Sequence, residues 1–385
     1  MKLADSINHL FAKASAITGT EGIYRFEANG DDAVTVVVRQ NVQVTRECKE
    51  QPDVVLRVAA EDVSAVAAGT ANIEQLFAAG KIGISGNAAL ATRLPEIIRL
   101  SRATVQQTED GLATEKRRYP TPSRYSEAVS ARQPVMLGIE RKRSHDFTVG
   151  DFRTRYMLRG RPLIIEDGLL NWRLFQASRE ESLQHFADLQ GITRHGDYIK
   201  AAFSNERDFR ATSMAEFIKS VDEASAGVGA LPAYMGNNVL PEKLFELIER
   251  PPYFPASVYD PPRIWIGPAG TLTPLHRDAS DNFFAQIWGK KRFVLAAPHY
   301  RRYLYAWSTT PFGGLDGCDF NPEEPDFDRF PLARNATCIS ITLEPGNLLY
   351  LPEGWFHQVR SESTSLSVNF WTKVKRRPNE SVDMD

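Results

Sequence analysis

The stretch Thr271-Leu-Thr-Pro-Leu-His-Arg-Asp278 decides how the second half of this chain is interpreted. His276 and Asp278 are separated by a single residue, and side chains on an extended strand alternate between its two faces. An imidazole and a carboxylate therefore emerge on the same face of the predicted strand. A pair held in this way can fill two adjacent positions around a metal ion.

A later strand can supply a third ligand. The turn Pro352-Glu-Gly-Trp-Phe-His357 follows the apolar run Leu348–Leu351 and ends on a histidine. Two histidines and one carboxylate on one face of an octahedron, with the other face open, is the arrangement of non-haem Fe(II) oxygenases. His276, Asp278 and His357 are therefore the predicted metal ligands and catalytic centre. The open face would accept a bidentate 2-oxo acid and then O2.

A 2-oxo acid with a second carboxylate needs a cation to bind that carboxylate, deeper in the domain than the metal. Lys291, fifteen residues after His276, is predicted to supply it as a point charge. Strand alternation places its neighbours Lys290 and Arg292 on the opposite side. Thr273 and Tyr234 can donate hydroxyl hydrogen bonds to the same carboxylate. A dicarboxylic co-substrate would satisfy an ammonium that is costly to bury alone.

Other polar residues divide into two groups. The amides of Asn282 and Asn369 can hold the metal-bound end of the acid and an incoming oxygen. Five further histidines are expected to be surface or packing residues: His9, His145, His185, His195 and His299.

The fold class is predicted to be α+β and mainly β. Many short apolar strands separated by turns run from Arg161 to Phe370 and indicate a double-stranded β-helix, the jelly-roll architecture of cupins, with helical additions. A chain of 385 residues suggests about two or three domains. We expect a small α/β domain over residues 1–105, a polar linker over 106–148 and the cupin domain over 149–385.

The first hundred residues have their own pattern. The turn Asn29–Asp32 joins the β-rich segments near Ile23 and Val34, a third strand begins near Asp53, and a short helix ends at Gly69. Then follow the strand Gly80-Lys-Ile-Gly-Ile-Ser-Gly86 and a final helix from Ala88 to Leu100. This order resembles the sterol carrier protein 2-like fold, whose members often offer an apolar tunnel for lipid. The alternative is that these apolar residues only fill the domain's core. We expect a docking or substrate-presenting role, with a lipid as the other candidate ligand.

The metal region also resembles a known family. Thr273-Pro-Leu-His-Arg-Asp278, the run from Asp281 to Arg292 and Val368-Asn-Phe-Trp371 are similar to those of the JmjC/cupin-8 oxygenases, and most similar to the asparaginyl hydroxylase that inhibits hypoxia-inducible factor. The resemblance implies Fe(II) ligands at the three positions above, a 2-oxoglutarate site at Lys291, Thr273 and Tyr234, and a pocket wall at Phe284. It places Asn282 and Asn369 beside the metal.

Three departures from that hydroxylase stand out. The stretch between His357 and Asn369 is shorter, and fourteen residues follow Trp371, so dimerisation through C-terminal helices is not expected. Gly236 replaces the glutamine that grips the peptide, which leaves the target side chain open. The sequence does not define the oligomeric state.

Composition limits the partners. A net charge of −2 gives no overall attraction to nucleic acid, and no apolar run is long enough to span a membrane. Three distant cysteines and an N-terminus without a secretory pattern favour a cytoplasmic protein.

The expected activity is Fe(II)- and 2-oxoglutarate-dependent hydroxylation of a protein or peptide side chain, releasing succinate and CO2. The alternatives are N-methyl demethylation or hydroxylation of RNA or a small molecule by the same site, and a non-catalytic lipid-binding or interaction protein.

Overall fold

The computed structural model describes residues 2–11, 20–28, 33–98, 124–199, 207–223, 232–308 and 316–372. The predicted turn Asn29–Asp32 and residues 106–123 of the predicted linker lie outside these ranges. The chain divides by its contacts into two compact units, which are described separately below.

The described residues form short helices and twenty strands. The helices are α1 (Leu3–Phe11), α2 (Ala60–Ala68), α3 (Ile73–Ala78), α4 (Ala88–Ala91), α5 (Arg124–Ala131), α6 (Val149–Phe152), α7 (Arg173–Gln176), α8 (Arg179–His185) and α9 (Met214–Glu223). The strands are β1 (Gly22–Glu27), β2 (Ala33–Val38), β3 (Val42–Thr45), β4 (Val54–Val58), β5 (Ile82–Gly86), β6 (Glu140–Lys142), β7 (Leu163–Ile165), β8 (Gln190–His195), β9 (Asp208–Ser213), β10 (Met235–Val239), β11 (Arg263–Gly267), β12 (Leu272–Arg277), β13 (Asn282–Trp288), β14 (Lys291–Ala296), β15 (Ala306–Ser308), β16 (Asp316–Cys318), β17 (Cys338–Leu343), β18 (Leu348–Leu351), β19 (Phe356–Ser361) and β20 (Ser365–Trp371).

The first unit is built on a five-stranded sheet in the order β3-β2-β1-β4-β5, in which β1 and β4 run parallel. Helix α1 packs against α2, β2 and β3, and buried apolar residues from the helices and the sheet form one core. Gly69 ends α2 with φ of +79°, as its position after the helical pattern predicts. The hairpin β8–β9 also belongs to this unit, although its residues come from a later part of the chain.

The predicted single helix from Ala88 to Leu100 is wrong in one respect. Helix α4 ends at Ala91, and a new helical segment begins at Leu94. Pro95 explains the break, because proline lacks an amide hydrogen and its ring clashes with the carbonyl four residues earlier.

The second unit contains two sheets that face each other. One has the order β10-β11-β20-β13-β18-β7-β6 and the other β15-β16-β12-β19-β14-β17. A shared core joins them, with Phe284 and Leu349 from the first sheet packed among Phe293, Leu295 and Val359 from the second. Neighbouring strands are antiparallel apart from β6 and β7. The predicted jelly-roll architecture is confirmed. Within the range predicted as a linker, residues 124–131 form α5 and residues 140–142 form β6.

Candidate metal centre and co-substrate pocket

The ladder between β12 and β19 brings the two central histidines together. His276 lies directly opposite His357 in this antiparallel pair, and an irregularity in the register occurs between Thr273 and His276. Directly opposed residues on antiparallel strands project to the same face. The ring centroids are accordingly 4.2 Å apart.

Asp278 follows the end of β12 and completes the cluster. Its backbone carbonyl accepts a hydrogen bond of 3.0 Å from the amide of Gly354, in the turn that precedes β19. The carboxylate oxygens lie 3.8 Å from Nε2 of His276 and 3.8 Å from Nε2 of His357. One ligand atom from each of the three residues lies within 4.8 Å of the others, so the cluster can hold a metal ion.

Backbone carbonyls orient both imidazoles. Nδ1 of His276 lies 2.8 Å from the carbonyl oxygen of Pro274, and Nδ1 of His357 lies 3.1 Å from that of Trp355. A carbonyl only accepts hydrogen bonds, so in each ring Nδ1 carries the proton and donates it. Nε2 then presents its lone pair to the cluster, which is how metal-binding histidines are commonly fixed.

The protonation state also suits a ligand. Burial, reinforced by the neighbouring His276, lowers the pKa of His357 to about 4, while Asp278 and the Trp355 carbonyl act in the opposite direction. A histidine must be neutral to bind a metal. His357 is therefore in its metal-binding form at neutral pH.

Trp371 contacts the carboxylate of Asp278. Its indole Nε1 donates a hydrogen bond of 2.9 Å to Oδ2 of Asp278. The contact restrains the carboxylate, because the indole is held at the end of β20. The sequence placed Trp371 in a family motif without a role, and nothing local predicts its bond to a residue 93 positions away.

The cluster opens into a narrow cavity between the two sheets. The lining residues come from both sheets and include most of the predicted site: Tyr234, Trp265, Thr273, His276, Asp278, Asn282, Phe284, Phe293, His357, Val359, Asn369 and Trp371. The structure therefore brings Tyr234, Thr273, Phe284, Asn282 and Asn369 together with the cluster of His276, Asp278 and His357.

Lys291 lies just behind this wall. Its side chain is fully buried, and Nζ has no hydrogen-bond partner among the described residues. The ammonium nitrogen is 5.7 Å from the ring centroid of Tyr234 and 5.2 Å from that of Phe284. Burial lowers the pKa of Lys291 to about 7. An unpaired buried amine is unfavourable, and an anion beside it would satisfy it.

The two asparagines bind each other. Nδ2 of Asn369 donates to Oδ1 of Asn282 at 3.1 Å, and Oδ1 of Asn369 accepts a hydrogen bond of 2.6 Å from Nε1 of Trp265. This fixes the orientation of the Asn369 amide, because one end donates and the other accepts. Trp265 was not among the predicted site residues. Trp265 lies on β11 between the buried Ile264 and Ile266. Strand alternation therefore points its side chain to the opposite face of the sheet from theirs, and this pattern could have identified it.

A buried ionic network lies on the other face of β12. Asp316 accepts hydrogen bonds of 2.9 Å from Nε of Arg277 and 2.9 Å from Nε of Arg301. Arg277 also pairs with Glu127 of α5 at 2.9 Å. Because Arg277 stands between the predicted ligands His276 and Asp278 in sequence, this network anchors the backbone that carries them.

Of the histidines predicted to lie outside the site, three have defined partners. His299 contacts Ser130 at 3.1 Å, His195 contacts Thr193 at 2.8 Å, and His145 lies 3.5 Å from a carboxylate oxygen of Asp146. None of the three belongs to the candidate metal-binding cluster found in the described residues.

The two facing sheets and the cluster at their shared cavity define a JmjC-type cupin domain. Residues 150–375 match the Cupin-like domain family, which is more than half of the chain, and the chain belongs to that family. Residues 5–99 match the SCP-2 sterol transfer family. The predictions of a JmjC/cupin-8 domain and of a sterol carrier protein 2-like domain are confirmed. The closer resemblance to the asparaginyl hydroxylase stays a prediction.

Curated relatives share the cupin region. The chain is 28% identical over 240 residues to Jumonji C domain-containing protein 5 of Drosophila melanogaster, covering 57% of each chain. It is 30% identical over 227 residues to lysine-specific demethylase 8 of Xenopus tropicalis, covering 57% of this chain and 50% of the relative. It is 34% identical over 141 residues to tRNA wybutosine-synthesizing protein 5 of Gallus gallus, covering 36% of this chain and 42% of the relative. The chain thus spans about half the length of the curated relatives it matches. Among the described residues, no helix is long and apolar enough to cross a membrane.

Proposed function

We propose that this protein is an Fe(II)- and 2-oxoglutarate-dependent oxygenase that hydroxylates a side chain of a protein or peptide. The observation that carries this proposal is the pairing of two features in one small region. Three side chains converge with their donor atoms within 4.8 Å, and behind the same cavity lies a fully buried ammonium that no described residue hydrogen-bonds. The first fits a ferrous ion with an open face. The second fits the far carboxylate of a dicarboxylic acid.

His276, Asp278 and His357 would hold the iron through two Nε2 atoms and one carboxylate oxygen. The carbonyls of Pro274 and Trp355 keep both imidazoles in the required tautomer. When bound, the iron and 2-oxoglutarate together supply the activation of O2, with release of succinate and CO2. The protein's own contribution is to hold the donor atoms, orient the co-substrate and exclude water from the cavity.

The co-substrate would extend from the metal towards Lys291. The hydroxyls of Thr273 and Tyr234 would share the far carboxylate with the ammonium, and Phe284 would cover one side of the pocket. Binding an anion next to Lys291 would raise the pKa of that amine back towards its ordinary value. The bond between Asn369 and Asn282 would keep both amides in place beside the metal.

The printed names of the relatives favour one alternative outcome. Lysine-specific demethylase 8 is named for removing methyl groups, so N-methyl demethylation by the same site is a second candidate. The name of tRNA wybutosine-synthesizing protein 5 keeps hydroxylation of RNA or a small molecule open as a third. Mass spectrometry separates these, because hydroxylation adds an oxygen atom to the substrate and demethylation removes a methyl group.

The first unit has a closely packed apolar interior. A void of about 10 Å³, close to the size of a single water molecule, is lined by apolar residues of α1–α3 and the sheet: Leu10, Phe26, Leu56, Val58, Val63, Val66, Ile73, Leu76 and Ile82. We propose that this unit docks or presents the substrate of the second unit, with a lipid as the alternative occupant. Native mass spectrometry of the purified protein tests this: a retained lipid would favour the alternative.

The experiment that tests the main proposal is a turnover assay with the full chain. Protein supplied with Fe(II), ascorbate and 2-oxoglutarate should release succinate, and release should rise when a peptide substrate is added. Asp278→Ala is the control, because it removes one ligand from the cluster. Absence of 2-oxoglutarate binding by the iron-loaded chain would refute the proposal.

A further inference from the structure

Two glycines, Gly236 and Gly267, lie against the ring of Tyr234. A Cβ atom at Gly267 would come within 2.8 Å of Cδ2 of Tyr234, and one at Gly236 within 3.0 Å of Cε1. Carbon atoms in contact normally stay about 3.5–4.0 Å apart. Neither position therefore accepts a side chain unless the ring moves.

Backbone conformation does not explain these glycines. Neither is among the described residues with positive φ, so the conformational freedom of glycine is not needed at either position. Met235 pairs with Ile266 in the ladder between β10 and β11, which puts Tyr234 next to Gly267 at its end. The reason for glycine is the close approach of the aromatic ring.

The other neighbours of the added Cβ atoms are themselves held in place by hydrogen bonds. A Cβ at Gly236 would also come within 3.1 Å of Trp265, whose indole is held by Asn369. A Cβ at Gly267 would come within 2.9 Å of Thr271, a buried residue whose hydroxyl donates to Ser361 at 2.7 Å. Displacement of the Tyr234 ring would therefore be away from its own sheet and into the cavity it lines.

We propose that Gly236 and Gly267 are positioning residues that set the depth of the Tyr234 ring, and with it the length of the dicarboxylic acid that fits between the metal centre and Lys291. The inference rests on the proposed function, because it assumes a 2-oxo diacid in this pocket. The ring centroid is 5.7 Å from Nζ of Lys291, so a ring pushed forward would occupy the space next to the ammonium. A shorter diacid would then lose less affinity than 2-oxoglutarate.

The test compares two acids on Mn(II)-loaded full-length protein by isothermal titration calorimetry: 2-oxoglutarate and oxaloacetate, which is shorter by a single carbon. In Gly267→Ala and in Gly236→Ala, we expect 2-oxoglutarate to bind roughly tenfold more weakly, the scale of a modest overpacking cost. Oxaloacetate should weaken less, so the ratio of the two dissociation constants shifts towards the shorter acid. Gly83→Ala is the matched control, since its Cβ would meet only Arg57 at an ordinary 3.6 Å.

A double-mutant cycle separates positioning from general damage. Tyr234→Leu removes the ring, so adding Gly267→Ala to it should change the ratio little or not at all. The ratio of the two dissociation constants does not depend on the fraction of folded protein. If Gly267→Ala does not fold, Gly236→Ala takes its place in the comparison. An unchanged ratio in the single variants, or a shift that persists in the Tyr234→Leu background, would overturn the inference. Failure of the wild-type chain to bind either acid would overturn the proposed function itself.

Discussion

His276 and His357 stand directly opposite each other on β12 and β19, with their ring centroids 4.2 Å apart and both Nδ1 atoms hydrogen-bonded to backbone carbonyls. The pair is fixed by the strand ladder and by the two carbonyls, so its geometry does not depend on side-chain flexibility. A preformed site of this kind would bind a metal without a large ordering cost.

Loss of either imidazole should therefore abolish the metal site without unfolding the sheet. For His357→Ala we expect Mn(II) affinity to fall by more than about 100-fold. This exceeds the loss expected when a residue that only hydrogen-bonds to a metal ligand is replaced. Electron paramagnetic resonance titration of free Mn(II) measures this directly. His299→Ala is the control, because His299 is half-buried but bonded to Ser130 outside the cluster. Equal Mn(II) binding by both variants would contradict the assignment.

Trp371 is expected to tune the metal site through Asp278. Trp371→Phe keeps an aromatic ring at the end of β20 and removes only the N–H that donates to Oδ2 of the carboxylate. We expect roughly a tenfold loss of metal affinity, the usual effect of losing a hydrogen bond to a ligand. The same Mn(II) titration checks it, with circular dichroism as the test of folding. Wild-type affinity in this variant would show that the indole only fills space.

Lys291 and its neighbour Lys290 offer a matched pair of substitutions. Lys291 is fully buried and has no hydrogen-bond partner in the described part of the chain, whereas Lys290 is exposed and pairs with Glu344 at 2.9 Å. Lys291→Met should weaken 2-oxoglutarate binding by about 100-fold or more, the scale of losing a charge-assisted hydrogen bond in a buried site. Lys290→Met should leave it unchanged. Calorimetric titration of the Mn(II)-loaded proteins decides the point, and equal losses in the two variants would argue against a diacid pocket at Lys291.

The free energy of unfolding should depend on pH through the buried amine of Lys291. Burial lowers the pKa of Lys291 from 10.5 to about 7, so between these values the unfolded chain binds more protons than the folded one. The free energy of unfolding of the metal-free, ligand-free protein should therefore gain, from this group, up to roughly 1.4 kcal/mol per pH unit as the pH rises above 7. Lys291→Met lacks this contribution and should be the more stable protein at pH 7. Urea denaturation at several pH values above 7 measures the difference in free energy of unfolding between the two proteins, which should narrow with increasing pH. A difference that stays constant with pH would contradict the burial of an unpaired amine at Lys291.

The ionic network behind β12 should matter for stability more than exposed ion pairs do. Asp316→Ala leaves the buried guanidinium of Arg277 without the carboxylate that binds it at 2.9 Å, which typically costs about 3–5 kcal/mol. Glu344→Ala breaks an exposed pair, for which about 0–1 kcal/mol is expected. Urea denaturation of the two variants makes the comparison. A cost at Asp316 no larger than at Glu344 would contradict the prediction and show that Glu127 alone satisfies the Arg277 guanidinium.

Much of the site was predictable because it follows from strand alternation. The spacing of His276 and Asp278 and the register that buries Lys291 but exposes Lys290 are both period-two patterns, and the structure has them. The jelly-roll class followed from the number and spacing of short apolar strands. The assignment of ligand roles to these residues stays a prediction that the experiments above address.

The parts that were not predictable depend on contacts between residues far apart in sequence. The bonds from Trp371 to Asp278 and from Trp265 to Asn369 join residues separated by 93 and 104 positions. Glu127 reaches Arg277 from a helix inside the stretch interpreted as a linker. No local pattern encodes such pairings, because they arise only when the two sheets pack. The break in the helix after Ala91 could have been predicted from Pro95. The apolar periodicity on both sides of that proline favoured a single helix instead.

The most direct test of the central claim is the position of a bound metal and acid in crystals. Crystals soaked with Mn(II) and an inert analogue of 2-oxoglutarate should give an anomalous peak roughly 2.0–2.3 Å from Nε2 of His276, Nε2 of His357 and a carboxylate oxygen of Asp278. The far carboxylate of the analogue should lie within hydrogen-bond distance of Nζ of Lys291. A metal bound elsewhere, or an analogue whose far carboxylate does not reach Lys291, would contradict the account.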